Sequence, residues 1–366
     1  MLVEIALQIL RIVLILFIVL GTIGNALNLF IFTRPTLSKS SCTLYLIAAS
    51  IDNILVIYTA LLTRLLANGF SIDITITSNV MCKLRFYFSY LFLALSPYFY
   101  ILACFDRYCS SSTLASRRSL CNKKVAKRLI IGAIILACIL YLHMAIFFEI
   151  IRIGSSTICN AQLGPYDLFY RIFYLIVYCI LPSFCMAIFC ILTLINVRQQ
   201  SRRIQPILAT GNENSHRLDR HLIRMLFSQI VTQLLCVLPF ATLNLVAFLI
   251  DRRTDLFWFL NQIFTLPLFF SYATSFYVFT MSSRVYRQEL VKLLWFRHER
   301  QNEKYLLQLC QLNKIVLLDL KEFIEKKLIE ITALADKHDI SKHEQLITNL
   351  GKYEYFELAR QHYHWN

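Results

Sequence analysis

Charge is what this sequence has least of. Only 16% of its 366 residues are Asp, Glu, Lys or Arg, where a soluble domain carries about a quarter. Hydrophobic residues make up 57% and mean hydropathy is +0.58. That balance excludes an ordinary water-soluble fold. There is no Cys-x-x-Cys pair; the 12 cysteines are scattered, mostly inside apolar runs. Buried cysteine behaves as a small hydrophobe, so no metal or redox centre is implied. No Asn-x-Ser/Thr acceptor occurs, so N-glycosylation is not expected. The first residues lack a basic leader and include Glu4, and their apolar stretch continues past residue 30. That is too long for a cleaved signal and reads as a first membrane helix with a very short outer N-terminus. No Ser-His-Asp or His-metal spacing falls in an apolar run, so an enzyme is not expected.

Long apolar runs are abundant. Seven lie near 7–32, 43–66, 83–105, 129–150, 168–197, 222–250 and 256–281. Each approaches or exceeds the roughly 20 residues that one helix needs to cross a bilayer. The formal net charge is +15, which in a soluble chain would point to nucleic acid. Here the cations alternate between loops instead. Arg34 and Lys39 follow the first run; Arg117, Arg118, Lys123, Lys124, Lys127 and Arg128 follow the third; Arg198, Arg202, Arg203, Arg217, Arg220 and Arg224 follow the fifth. The other loops carry less, and Asp251 and Asp255 offset Arg252 and Arg253. The positive-inside rule then predicts an outer N-terminus, a cytosolic C-terminus and lipid, not nucleic acid, as the basic residues' partner.

The run between residues 81 and 108, MCKLRFYFSYLFLALSPYFYILACFDRY, organises the rest. Cys82 stands at its outer end and Asp106-Arg107-Tyr108 closes it. At 1.5 Å per residue the two ends are about 37 Å apart, one at each membrane surface. This stretch resembles the third transmembrane helix of class A (rhodopsin-like) G-protein-coupled receptors. The resemblance extends over residues 10–297. It carries Gly24-Asn25 in the first run, Asp52 in the second, Pro182 in the fifth and Cys236-Val237-Leu238-Pro239 in the sixth. The expected fold is an all-α membrane protein. Its domain 1–297 is a seven-transmembrane helix bundle with an amphipathic eighth helix over Val285–Phe296. Its domain 298–366 is a helical cytoplasmic tail, with Leu306, Leu309, Leu312, Val316, Leu320, Phe323 and Leu328 at helical spacing.

The resemblance also implies roles. Cys82 is expected to be disulfide-bonded to Cys159, the cysteine of the second outer loop. Asp106, Arg107 and Tyr108 face a heterotrimeric G protein, with Asp219 pairing Arg107 when the receptor is off and Leu114 as an apolar contact. Asn25 bonds between helices. Asp52, with Ser96, Ser271 and Ser275, forms a polar pocket able to hold a sodium ion, the sole cofactor expected. An isolated carboxylate at mid-membrane costs roughly 2.5–3.5 kcal/mol, so Asp52 reads as functional on physical grounds too. Pro182 and Pro239 are helix kinks, and Pro97, unusual for the family, adds another. Ser89, Phe86 and Val237 are guesses for the ligand cavity.

Several positions depart from the family. The fourth run has no tryptophan, Val237 stands for the toggle tryptophan and Gln233 for an aromatic, and Cys190 replaces a tyrosine. Ser275-Phe276-Tyr277-Val278-Phe279 aligns with Asn-Pro-x-x-Tyr, a degenerate form that resembles the invertebrate neuropeptide receptor type. Ser89 replaces the aspartate that pairs amine ligands. No lysine lies between Asp255 and Ser283, which rules out a retinal Schiff base. The resemblance thus implies a plasma-membrane receptor for a short peptide, of FMRFamide type. The alternatives are a chemosensory small-molecule receptor or a non-signalling seven-helix scaffold or decoy.

Overall fold

A computed structural model describes the backbone of residues 2–153, 156–203, 213–246, 254–293, 295 and six positions between 318 and 329. Among the described residues, seven helices are long and apolar enough to span a membrane. They are α1 (Leu2–Phe32), α2 (Cys42–Gly69), α3 (Asn79–Ser110), α4 (Lys123–Phe147), α5 (Pro165–Gln199), α6 (Glu213–Val246) and α7 (Asp255–Ala273). A short α8 (Ser275–Ser282) continues the seventh span after a break at Thr274, and 284–293 is helical again. That last stretch includes much of the expected eighth helix.

Burial orders these helices. Two thirds of the most apolar window of α3 is buried (67%) against 17% of that of α4, so α3 is the central rod and α4 a peripheral one. The outward faces carry Ile12, Ile139, Phe184 and Leu235, all more than 60% exposed. Such faces are costly in water and neutral in lipid.

Backbone irregularities follow from identifiable residues. Pro182 cannot donate to the Tyr178 carbonyl, and just before it the chain takes wide π-helical turns over Tyr174–Ile180, with Leu181 N–H reaching back to Ile176. In α2 the hydroxyls of Thr59 and Thr63 bond to carbonyls of the preceding turn (Leu55 at 2.7 Å, Thr59 at 2.5 Å), and π turns occupy Ile57–Leu61 and Leu65–Gly69. At Gly21 a Cβ would come within 3.1 Å of the Ala273 Cα, so glycine permits the close approach of α1 and α7.

The loop after α4 is not irregular. Phe148–Ile153 (β1) and Ser156–Ala161 (β2) form an antiparallel hairpin with Ile150 opposite Cys159. The expected fourth run to residue 150 therefore ends in a strand, and the all-α expectation needs this one amendment. FEIIRI alternates apolar and polar only partly, and its strand character emerges from cross-strand pairing.

The chain divides into two compact units, Met1–Lys292 and Leu293–Asn366. In the second, Lys321–Glu325 and Lys326–Glu322 are ion pairs at i,i+4 spacing. The apolar tail positions named above lie outside the described residues.

Candidate functional site

Three polar or aromatic constellations sit along the bundle. At one end, Cys82 in the first turns of α3 is bridged to Cys159 in β2, with Cα atoms 5.7 Å apart. The hairpin is tied again where the Ile150 N–H donates to Asn79 Oδ1 at 3.1 Å. Below it stands an aromatic box. Phe86 stacks on Phe148 at 4.7 Å, Tyr90 meets Tyr174 edge-on at 5.3 Å, and Phe148 meets Tyr170 at 5.4 Å. The Tyr90 and Tyr170 hydroxyls also touch. Phe86 is thus a wall of this end. Ser89 is not: its hydroxyl donates to the Thr59 carbonyl at 3.2 Å, which spends it on α2. Val237 is buried in the core beneath.

In the middle, Pro97 leaves the Leu93 carbonyl without its helical donor. Tyr272 of α7 supplies one, its Oη donating to Leu93 O at 2.6 Å while sharing a 2.6 Å hydrogen bond with Tyr178 Oη of α5. One proline therefore creates a relay linking α3, α7 and α5. Asp52 of α2 lies within electrostatic range of Tyr272 but differs in chemistry. Both its carboxylate oxygens are buried without a hydrogen-bond partner. The expected Asp52–Ser96 side-chain contact is absent, because the Ser96 hydroxyl donates to Asn53 Oδ1 at 2.7 Å. Ser271 bonds to Leu268 O in its own helix at 2.7 Å.

The polar network centres instead on Asn25. Its Oδ1 accepts from Asn53 Nδ2 and Ser275 Oγ, both at 3.0 Å, and its Nδ2 donates to the Tyr272 carbonyl at 3.0 Å. Asn28 Nδ2 continues the chain to Ser275 Oγ at 3.0 Å, and Tyr286 Oη donates to Asn28 Oδ1 at 2.5 Å. Burial pushes the Tyr286 phenol up, so it remains a donor. Asn25 thus bonds to groups of α2, α7 and α8. Asn28, Asn53 and Tyr286 were missed in the sequence. Their signal was spacing: Asn28 lies on the same helix face as Asn25, and Asn53 is a second polar residue in an apolar run.

At the other end, Arg107 is buried. Its Nη2 donates to Asp106 Oδ2 at 2.6 Å and to Ser40 Oγ at 3.1 Å. Ser41 Oγ donates to Asp106 Oδ1 at 2.6 Å. The loop between α1 and α2 therefore holds both members of the pair. Tyr108 receives Arg117 Nη1 at 2.7 Å. Leu114 caps the short helix Ala115–Arg118 and is 51% exposed. Asp219 falls on α6, but its side chain lies outside the described residues. Thr36 Oγ1 donates to Glu289 at 3.1 Å, tying the same loop to 284–293.

A central helix bearing a disulfide at one end and a buried Asp-Arg pair at the other, inside seven membrane-length helices, defines a seven-helix membrane receptor. The sequence model of the 7 transmembrane receptor (rhodopsin family) matches residues 24–277, and the chain belongs to that family. No curated protein matches the chain.

Proposed function

We propose that the protein is a plasma-membrane receptor that activates a heterotrimeric G protein on binding an extracellular ligand, with the Cys82 end outside and the Arg107 end and C-terminus in the cytosol. The alternating basic loops support that orientation. The observation that carries the signalling reading is the buried Asp106–Arg107 pair held by Ser40 and Ser41. It keeps the guanidinium turned into the bundle, which is what an off state requires. An Asp219 contact from α6 would add to this lock, and Leu114 offers an exposed apolar side chain for the partner. A difference of a few kcal/mol between closed and open states is enough for a ligand to shift their populations. With Val237 in place of the tryptophan, the Leu93–Tyr272–Tyr178 relay is the polar contact between α3, α5 and α7 that such a shift would break.

Asp52 fits a monovalent cation. Its two oxygens are unpartnered, and neutral oxygens stand on Ser96 of α3, on Ser275 of α8 and on Asn53 beside it in α2. A sodium ion there would neutralise the carboxylate, a hard cation on oxygen ligands.

The ligand is a short peptide on this reading. The two-stranded hairpin leaves strand edges able to pair with an extended chain, above an aromatic box. A small chemosensory molecule seated in the box alone is the second reading, favoured by the tight ring packing of Phe86, Tyr90 and Phe148.

The test is basal G-protein activation in cells, with surface expression measured alongside. Wild type should signal, Arg107→Ala should be silent, and Asp106→Asn and Asp219→Ala should exceed wild type. Unchanged activity in Arg107→Ala would contradict the assignment. Silence of every variant, persisting with peptide and small-molecule libraries, would leave a non-signalling scaffold.

A further inference from the structure

Among the described residues, four helix arginines stand toward the disulfide end of the bundle, and three have their donors engaged. Arg171 donates from Nε to both Asp167 oxygens, at 3.1 and 3.2 Å. Arg85 pairs with Asp73 at 3.6 Å and donates to Thr63 Oγ1 at 3.2 Å. Arg11 is exposed, donates to the Gly69 carbonyl at 2.5 Å and lies over the Phe70 ring. Arg64 is different. It sits in α2 near the Gly69 end, between the two π turns. Its Nη2 donates to Gln262 Oε1 at 2.5 Å and its guanidinium lies over Phe269, 5.8 Å from the ring centre. Its Nε is buried without a partner. Among the described residues no carboxylate reaches it, and Nη1 has no acceptor.

A guanidinium carries five N–H donors and a permanent charge. Burying it beside a neutral amide and a ring leaves most of that capacity unmet, and a buried cation without a counter-charge is unfavourable. The residue remains partly accessible, so an anion can reach it from the outer end. Tyr90 and Tyr174 of the aromatic box lie within electrostatic range. We propose that Arg64, steadied by Gln262, is the anchor for a carboxylate on the extracellular ligand, with the tyrosines receiving the ligand's apolar body. A planar, singly charged group matches the donors left on the two terminal nitrogens. The inference rests on reading the disulfide end as the ligand side. It also disfavours an amidated Arg-Phe peptide, which would bring guanidinium against guanidinium.

The test uses the full chain in lipid nanodiscs and reads melting, without any G protein. The probes are phenylacetate against phenylacetamide, and the peptide Gly-Gly-Phe as free acid against its C-terminal amide. In wild type at least one acid should raise the melting temperature above its amide partner. Arg64→Gln should weaken the acid by on the order of tenfold and leave the amide unchanged. Arg64→Lys should fall between, and Arg85→Gln should keep the preference. A response to phenylacetate alone assigns a small acid, and one to Gly-Gly-Phe assigns a peptide terminus. Equal behaviour of acids and amides in wild type, including no shift from either, overturns the proposal without any variant having to fold. Persistence of the preference in Arg64→Gln also overturns it. Acid binding without cellular signalling would instead overturn the receptor reading and leave this one standing.

Discussion

Two buried aspartates in one bundle meet opposite fates. Asp106, at the Arg107 end of α3, accepts from Ser41 on one oxygen and from Arg107 on the other. Asp52, in the middle of α2, has no hydrogen-bond partner on either oxygen. Both are less than 5% exposed. The difference is what the folded chain brings to each. Asp106 lies where a loop returns with two serines, so its charge is compensated within the protein and its removal leaves Arg107 stranded. Near Asp52 the Ser96 hydroxyl is bonded to Asn53 instead, so neither carboxylate oxygen is answered by a protein donor. The first carboxylate is compensated by protein donors and the second is not.

The largest effect should come from Asp106. Asp106→Ala leaves a buried guanidinium without its counter-charge and should lower stability by about 3–5 kcal/mol, read as a fall in melting temperature. Next, Tyr272→Phe removes the donor that satisfies the Leu93 carbonyl and should cost about 1–3 kcal/mol, whereas Tyr178→Phe, at the far end of the relay, should cost less. If the order were reversed, the Pro97 account of the relay would fail. Gln229 of α6 is buried with both amide atoms unpartnered, and Gln229→Leu should raise the melting temperature by an amount worth about 1 kcal/mol. The smallest change should be that of Asp52→Asn, within about 1 kcal/mol of wild type in sodium-free buffer, because no protein partner is lost. In wild type, added sodium should raise the melting temperature, and Asp52→Asn should be insensitive. An equally large loss on Asp52→Asn and Asp106→Ala would erase the distinction between the two aspartates.

The spans were legible because a bilayer imposes length and apolarity on any helix that crosses it. The run near 43–66 became Cys42–Gly69, and that near 168–197 became Pro165–Gln199. The run near 222–250 began later than its helix, Glu213–Val246, whose first turns are polar. The disulfide partners were legible through the family resemblance, and the hairpin between them was not. Of the expected polar pocket, Asn25 and Ser275 do meet, while Ser96 turns to Asn53. Hydroxyl and amide groups choose among neighbours a few ångströms apart, and that choice depends on helix rotation, which composition does not encode.

The sequence by itself determined that the chain spans a membrane several times, which loops carry the charge, and where prolines interrupt the helical ladder. Those properties depend on residue type and local spacing alone. Only the tertiary structure decided that the carbonyl freed by Pro97 is answered by Tyr272 from α7, that Asp106 is clamped while Asp52 is left open, and that no carboxylate among the described residues reaches Arg64. Each depends on atoms distant in sequence meeting at hydrogen-bond range, and a buried polar group is stable or costly according to whether that meeting occurs.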